Sequence, residues 1–206
     1  MTADDLLATR KVSRETLERL MVFERLLRKW NGAINLVAPA SLDHFWRRHA
    51  LDSVQLLDRA PAQARRWVDL GSGGGLPGLV VAIVAASERP DLSVTMIESD
   101  GRKAAFLEAV VRECGIASRI LAERIEGAPA QGADVVSARA LAPLPRLLGL
   151  AERHLAPEGT ALLAKGAAHQ QEIAEALELW RFSIQKWPSL TDPSAVILEI
   201  KGLSRV

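Results

Sequence analysis

The segment Trp67-Val68-Asp69-Leu70-Gly71-Ser72-Gly73-Gly74-Gly75-Leu76-Pro77-Gly78 constrains the fold more tightly than any other stretch of the chain. An apolar run ends in an acid, turns on four glycines within five positions, and passes into a second apolar run after Gly78. Glycine tolerates positive φ and lets a ligand or another backbone approach where a Cβ would clash. Pro77 suits the first turn of a helix, because its missing N–H would be unpaired there anyway. The segment predicts a strand, a tight loop and a helix. Such a corner belongs to an α/β sheet and forms a seat for a nucleotide-like ligand.

The rest of the chain extends that pattern. Leu17, Leu20, Met21, Phe23, Leu27 and Trp30 recur at helical spacing behind Ser13, a candidate N-cap. A second helix is predicted to begin after Ser41 and to carry His44 through His49 on to Leu57. Strands over 67–70, 94–98, 120–122, 134–137 and 160–164 alternate with helices over 76–86, 102–114, 144–155 and 168–180. Segments 183–187 and 195–200 read as a closing antiparallel pair at the sheet edge. Alternation of this kind predicts an α/β fold with a doubly wound, mostly parallel seven-stranded sheet and an N-terminal helical extension. A single domain over 1–206 is expected, with the extension at 1–62 and the α/β core at 63–206.

Composition narrows the classes. Hydrophobic residues make up 49% of the 206, enough for a sizeable core, yet no apolar run approaches the ~18 residues of a membrane span. Residues 1–10 show no signal-peptide pattern, so a cytoplasmic protein is expected. Cys114 is the lone cysteine, which excludes a disulfide framework and a cysteine-built metal site. His44 and His49 lie five apart, off the spacing for a shared metal on a helix, and no metal is expected.

In a doubly wound sheet, ligands sit beyond the carboxyl ends of the strands. The candidates there are Asp69, Gly71 and Gly73 after the first strand and Glu98 after the second. Ile125-Glu126 follows the third, Arg139 the fourth, and Lys165 the fifth. Glu98 lies 20 residues past Gly78, where an acid accepts both hydroxyls of a ribose. Ile125 beside Glu126 would sandwich an adenine and place its amino group. Two ligand classes compete for the loop. Gly73, Gly75 and Gly78 fit the dinucleotide fingerprint G-x-G-x-x-G. Read from Asp69, the same residues resemble the first motif of class I S-adenosylmethionine methyltransferases. An acid at the loop would repel a pyrophosphate and favour the ammonium and sulfonium of S-adenosylmethionine, the cofactor expected here.

Further segments sharpen the resemblance: Trp30-Asn31 with Ile34-Asn35-Leu36-Val37, His49-Ala50-Leu51-Asp52-Ser53, and Arg102-Lys103 before Ala105-Phe106-Leu107. Arg139-Ala140 with Pro143-Leu144 and Leu163 through Gly166 complete it. Together with the glycine corner, these resemble the small-subunit rRNA methyltransferase G (GidB) family over most of the chain from Trp30 to Gly166. The resemblance implies methylation of N7 of one guanosine in 16S rRNA near the decoding centre, on the rRNA or a small ribosomal subunit precursor. It also implies cofactor contacts by Gly71, Leu76, Ile125, Glu126 and Arg139. Glu98 stands where the family pattern leads one to expect aspartate, Arg102-Lys103 reverses the familiar order, and Ala138 replaces a commoner serine.

The chemistry that is missing agrees. Methylating carbon five of a pyrimidine needs a cysteine nucleophile, and Cys114 falls inside a helical pattern. Exocyclic amines are commonly methylated at an Asn/Asp-Pro-Pro-aromatic motif, whereas this chain has Ser137-Ala138-Arg139-Ala140. Guanine N7 carries a free lone pair and loses no proton, so no general base is assigned. Net charge is only +1, which leaves RNA affinity to a local basic rim of Arg47, Arg48, Arg139 and Lys165. Trp46 would stack on a base or pack in the core. Arg139 has Asp134 or Glu126 as alternative ion-pair partners. The competing classes are a methyltransferase acting on a small molecule or protein, and a NAD-binding protein. A monomer is expected.

Overall fold

Ser13 Oγ accepts the Thr16 N–H at 3.1 Å and opens helix α1 (Arg14–Ile34). The structure, a computed structural model, describes residue 10 and residues 12–206. The signal-peptide expectation for residues 1–10 falls outside them except at Arg10. Leu20, Phe23 and Leu27 of α1 are buried, and Phe23 meets Phe45 and Phe106 at centroid distances of 5.5 and 6.3 Å. The helical extension is thereby packed onto the α/β core.

The second predicted helix is three pieces instead of one. A 3-10 turn (Pro39–His44) leads into a π-helical turn (Phe45–Leu51) and then α2 (Asp52–Leu57). The cause is visible at the junction. A regular helix would give the Asp52 N–H to the Arg48 carbonyl; here it goes to the carbonyls of Arg47 and His49. The Arg48 carbonyl is left to accept from Arg139 Nη1 at 3.0 Å.

Strands and helices then alternate: β1 (Arg66–Leu70), α3 (Gly78–Glu88), β2 (Ser93–Ile97), α4 (Gly101–Cys114), β3 (Ser118–Leu121) and β4 (Ala133–Arg139). They continue as α5 (Leu144–His154), β5 (Leu155–Lys165), α6 (His169–Leu177), β6 (Trp180–Pro188) and β7 (Val196–Arg205). The sheet has seven strands in the order β3-β2-β1-β4-β5-β7-β6. Strands β1 to β5 are parallel, and β7 runs antiparallel to both β5 and β6. The fold is the doubly wound α/β sheet that the alternation predicts. The main shifts are that α3 starts two residues later than expected, that α6 ends at Leu177 where the expectation ran to Trp180, and that β5, β6 and β7 are longer. In the described residues no helix is long and apolar enough to cross a membrane.

Strand order reverses between β1 and β4, so a crevice opens at their carboxyl ends. Both faces of β1 are covered: Trp67 joins the core under α1, α3 and α4, and Val68 and Leu70 join the one under α5. Gly78, at the start of α3, packs directly against the sheet. A Cβ there would stand 2.7 Å from both Asp69 Oδ2 and Met96 Cγ, inside van der Waals contact. Gly78→Ala will therefore destabilise the fold by about 1–3 kcal/mol through overpacking, read as a lower midpoint in urea unfolding.

Candidate active site

The glycine loop is fastened before it meets any ligand. Gly71 and Ser72 donate their N–H groups to the Ile97 carbonyl at 2.9 and 3.2 Å, which lays the loop across the end of β2. Asp69 alternates onto the Trp67 side of β1, under α3, and is fully buried. Its carboxylate accepts the Gly78 N–H at 3.1 Å and the Ser137 hydroxyl at 2.7 Å, while Ser137 accepts the Trp67 indole N–H at 2.8 Å. This corrects the expectation that Asp69 offers its charge to a bound cation. The acid faces a helix N-terminus inside the protein, and its work is to lock the loop.

Glu98, just past β2, is 7% exposed. Oε2 accepts the Gly73 N–H and Oε1 the Asp100 N–H, each at 2.8 Å. A carboxylate oxygen has two lone pairs, so each oxygen keeps one acceptor position beyond these bonds. Gly71, Gly73, Glu98, Ile125, Glu126 and Leu141 are among the residues around one cleft of about 390 Å³. Five of the expected cofactor residues thus converge. Glu126 lies at the exposed lip, 3.4 Å from Arg146, and its pKa is lowered, first by its own backbone N–H and then by Arg146. Leu76 and Arg139 do not join them: the Leu76 side chain is buried behind the loop, and Arg139 lines a different cavity. Gly71 takes φ +63°, and Leu141 packs so closely that a Cβ on Gly71 would lie 2.5 Å from Leu141 Cδ1.

A second cavity, about 410 Å³, opens on the far side of residues 140–142, which border both. Asp52, Gln55, Arg139 and Lys165 are on its walls. Arg139 Nη1 donates to the Arg48 carbonyl at 3.0 Å and to Asp52 Oδ2 at 3.2 Å, and Nη2 approaches His49 Nδ1 at 3.3 Å. The alternative partners read from sequence, Asp134 and Glu126, are both elsewhere. Asp134 accepts the Arg65 and Arg66 N–H groups beside the start of β1, and Glu126 meets Arg146. His49 Nδ1 must accept from Arg139, so its Nε2–H donates to Ser41 Oγ at 2.9 Å. Burial first, then the positive charge of Arg139 and Arg48, lowers its pKa to about 4.

The basic rim is split. Arg47 and Arg48 are exposed on the π turn, and the Arg48 backbone touches Arg139. Lys165 differs from a free phosphate-binding cation. Only 8% of its side chain is exposed, and its ammonium donates to the Ala142 carbonyl at 2.7 Å and to Glu172 at 2.6 Å, bracing the wall between the cavities. Trp46 is buried and packs edge-on against Phe45 at 5.3 Å, so it belongs to the core. Sequence reasoning assigned no task to Asp52, His49 or Gln55. Their only signal was membership of, or adjacency to, the His49–Ser53 segment.

A mostly parallel sheet closed by an antiparallel pair, with a glycine loop and an acid at the ends of its first two strands, is the fold of S-adenosylmethionine-dependent methyltransferases. Solved structures share it at low identity. A SAM-dependent methyltransferase from Aquifex aeolicus matches with TM-score 0.58 and 12% identity, over 86% of this chain and 98% of that one. An O-methyltransferase from Bacillus cereus in complex with SAH matches with TM-score 0.58 and 14% identity, over 88% and 90%. Residues 16–195 match the family rRNA small subunit methyltransferase G (GidB), and the chain belongs to that family. Relatives named ribosomal RNA small subunit methyltransferase G include one from Ruegeria sp. (strain TM1040), 55% identical over 95% of either chain. Another, from Cereibacter sphaeroides (strain ATCC 17029 / ATH 2.4.9), is 50% identical over the full length of both.

Burial raises the Asp69 pKa from 3.8 to about 6, against the lowering effect of its bonds from Ser137, Ser72 and Gly78. A raised carboxylate pKa contributes stability that is fully present below the unfolded value and lost as pH rises through the folded one. The window is pH 4 to 6, and a shift of about two units is worth roughly 3 kcal/mol. The depressed His49 pKa works oppositely, contributing stability above pH 6.5 that is lost as pH falls toward 4. Only a variant separates the two. In urea unfolding, the stability advantage of the wild type over Asp69→Asn will shrink by a few kcal/mol between pH 4 and pH 7. A constant difference would return Asp69 to an ordinary pKa.

Proposed function

We propose that the protein transfers a methyl group from S-adenosylmethionine to N7 of one guanosine of 16S rRNA near the decoding centre, in the cytoplasm. The observation that carries this reading is the pair of cavities meeting at residues 140–142, one suited to the cofactor and one to a base. The cofactor cleft fits an adenosine from the residues present. Glu98 offers two acceptor positions for the ribose hydroxyls, Ile125 an apolar surface for the adenine, and Glu126 an acceptor for its amino group. Gly71 and Gly73 allow the backbone to come close, and Arg139 lines the second cavity, one residue before the partition that both cavities share.

When bound, S-adenosylmethionine supplies a methyl carbon whose bond to sulfur breaks, the electron pair staying on sulfur, as N7 donates its lone pair. No proton leaves N7, so the protein's task is alignment. The second cavity suits that. Its carboxylates, Asp52 and Glu172, are already engaged by donors: Arg139, Thr191 and Gln55 on Asp52, Lys165 and the Leu144 N–H on Glu172. Lys165 keeps the partition in place by its bond to Ala142. Arg47 and Arg48 give the adjoining surface positive charge for the phosphates of rRNA or of a small-subunit precursor.

Two measurements test the reading. Mass spectrometry of 16S rRNA from a strain lacking the protein will show one 7-methylguanosine missing and restored on complementation; full methylation in the deletion strain would overturn the assignment. Glu98→Gln will weaken S-adenosylmethionine by about 1.5–3 kcal/mol in calorimetry, since a charge-assisted acceptor is lost from the ribose. The variant will also cease to discriminate against deoxyribose analogues, and retained discrimination would remove Glu98 from the ribose site.

A further inference from the structure

Asp52 is the most heavily bonded acid in the described part of the molecule, and its two oxygens are treated differently. Oδ1 accepts the Thr191 hydroxyl at 2.7 Å, the Gln55 amide at 2.9 Å and the Ser189 hydroxyl at 3.4 Å. Oδ2 accepts only from Arg139, at 3.2 Å. The carboxylate is thus clamped from one side and keeps acceptor capacity on the other. Arg139 is clamped too. Three of its N–H groups go to Arg48, Asp52 and His49, and two of the five have no partner among the described residues. The two side chains are 17% and 23% exposed, and both face the second cavity. Nη1 spends both hydrogens on Arg48 and Asp52, so the donors left to Arg139 are Nε–H and one on Nη2, on the same cavity wall as the acceptor Asp52 Oδ2.

We infer that this pair reads the target base: Asp52 Oδ2 accepts guanine N1–H while Arg139 donates to guanine O6. The inference rests on the guanine-N7 reading above and deepens it by naming the specificity-determining residue. Guanine carries an acceptor at O6 next to a donor at N1, the complement of that pair. Adenine carries a donor and an acceptor in the reverse order, so it would set donor against donor and acceptor against acceptor. Uracil has the same order as guanine but no N7 to methylate. On guanine, N7 flanks O6 on the side away from N1. Docking that edge on Asp52 and Arg139 therefore puts N7 on the Arg139 side, in a cavity whose wall at residues 140–142 also borders the cofactor cleft. Oδ1 is saturated, so the guanine 2-amino group has no acceptor here and is not read by Asp52.

The test uses small subunits reconstituted with 16S rRNA in which the guanosine that the wild-type enzyme methylates is replaced, by ligation, with inosine or 1-methylguanosine. Inosine keeps N1–H and O6 but lacks the 2-amino group, whereas 1-methylguanosine blocks N1. The wild type will methylate the inosine target within about threefold of the guanosine rate and the 1-methylguanosine target about 100-fold or more slower, as expected when a buried acceptor loses its donor. Asp52→Asn will lose about 100-fold on the guanosine target, because Thr191 and Gln55 hold its oxygen and turn its NH₂ toward Arg139 and N1–H. An acid that merely anchors Arg139 would leave the ratio of guanosine to 1-methylguanosine rates the same in Asp52→Asn as in the wild type, whereas base reading by Asp52 makes that ratio collapse toward one in the variant. Equal wild-type rates on guanosine and 1-methylguanosine, or an Asp52→Asn enzyme of wild-type rate, would overturn the inference. Product analysis of the wild-type reaction separates the two readings: a methyl group found elsewhere than guanine N7 refutes the proposed function itself.

Discussion

One buried carboxylate joins the three pieces on which the binding site stands. Asp69 leaves β1 beneath α3, takes the N–H of Gly78 at the first turn of that helix, and takes the hydroxyl of Ser137 from β4. The distance between strand and helix is then set so tightly that no Cβ fits at Gly78. The glycine loop spans a gap whose two ends are fixed, so its N–H groups point where Glu98 and Ile97 can use them. Burying an acid is costly, and the raised pKa of Asp69 measures the cost. The return is a preorganised loop that has no ordering left to do when a ligand arrives.

A second junction, around Arg139, ties the helical extension to the sheet. Its partners come from the π turn and from α2, and Asp52 passes the connection on to Thr191 in the segment between β6 and β7. Three parts of the chain that are remote in sequence therefore meet at the mouth of one cavity. His49 serves there because it is uncharged: an imidazolium beside Arg139 would repel it, and burial already keeps the ring neutral at physiological pH. The extension supplies part of the cavity wall through Asp52 and Gln55.

Much of this was legible in the sequence, for reasons that differ by residue. The corner at 67–78 could be read because glycine spacing and strand hydrophobicity are local signals. Glu98 could be read because a strand, a helix and a loop fix its distance from Gly78. Asp69 was placed correctly along the chain and wrongly in depth. Sequence position gave the end of the strand, but only the packing of α3 decides that the Trp67 face is sealed. Arg139 and Asp52 lie 87 residues apart, and no local pattern pairs them. Lys165 looked like a free cation because it ends an apolar strand; its partners, Ala142 and Glu172, come from other segments and turn it inward. The break at 45–51 is invisible in the sequence because its buried residues Phe45, Trp46, His49 and Ala50 recur at i and i+4, as those of a regular helix do.

That break has a consequence for how the family's surface can diversify. Arg139 grips the extension through the main-chain oxygen of Arg48. Every residue type has such an oxygen, so the bond sets no condition on the side chain at position 48, which points outward with its neighbour Arg47. The joint and the exposed face are written in different atoms of the same residue. Substitutions on the outer face can thus change the charge of that surface while the bond to Arg139 stays as it is.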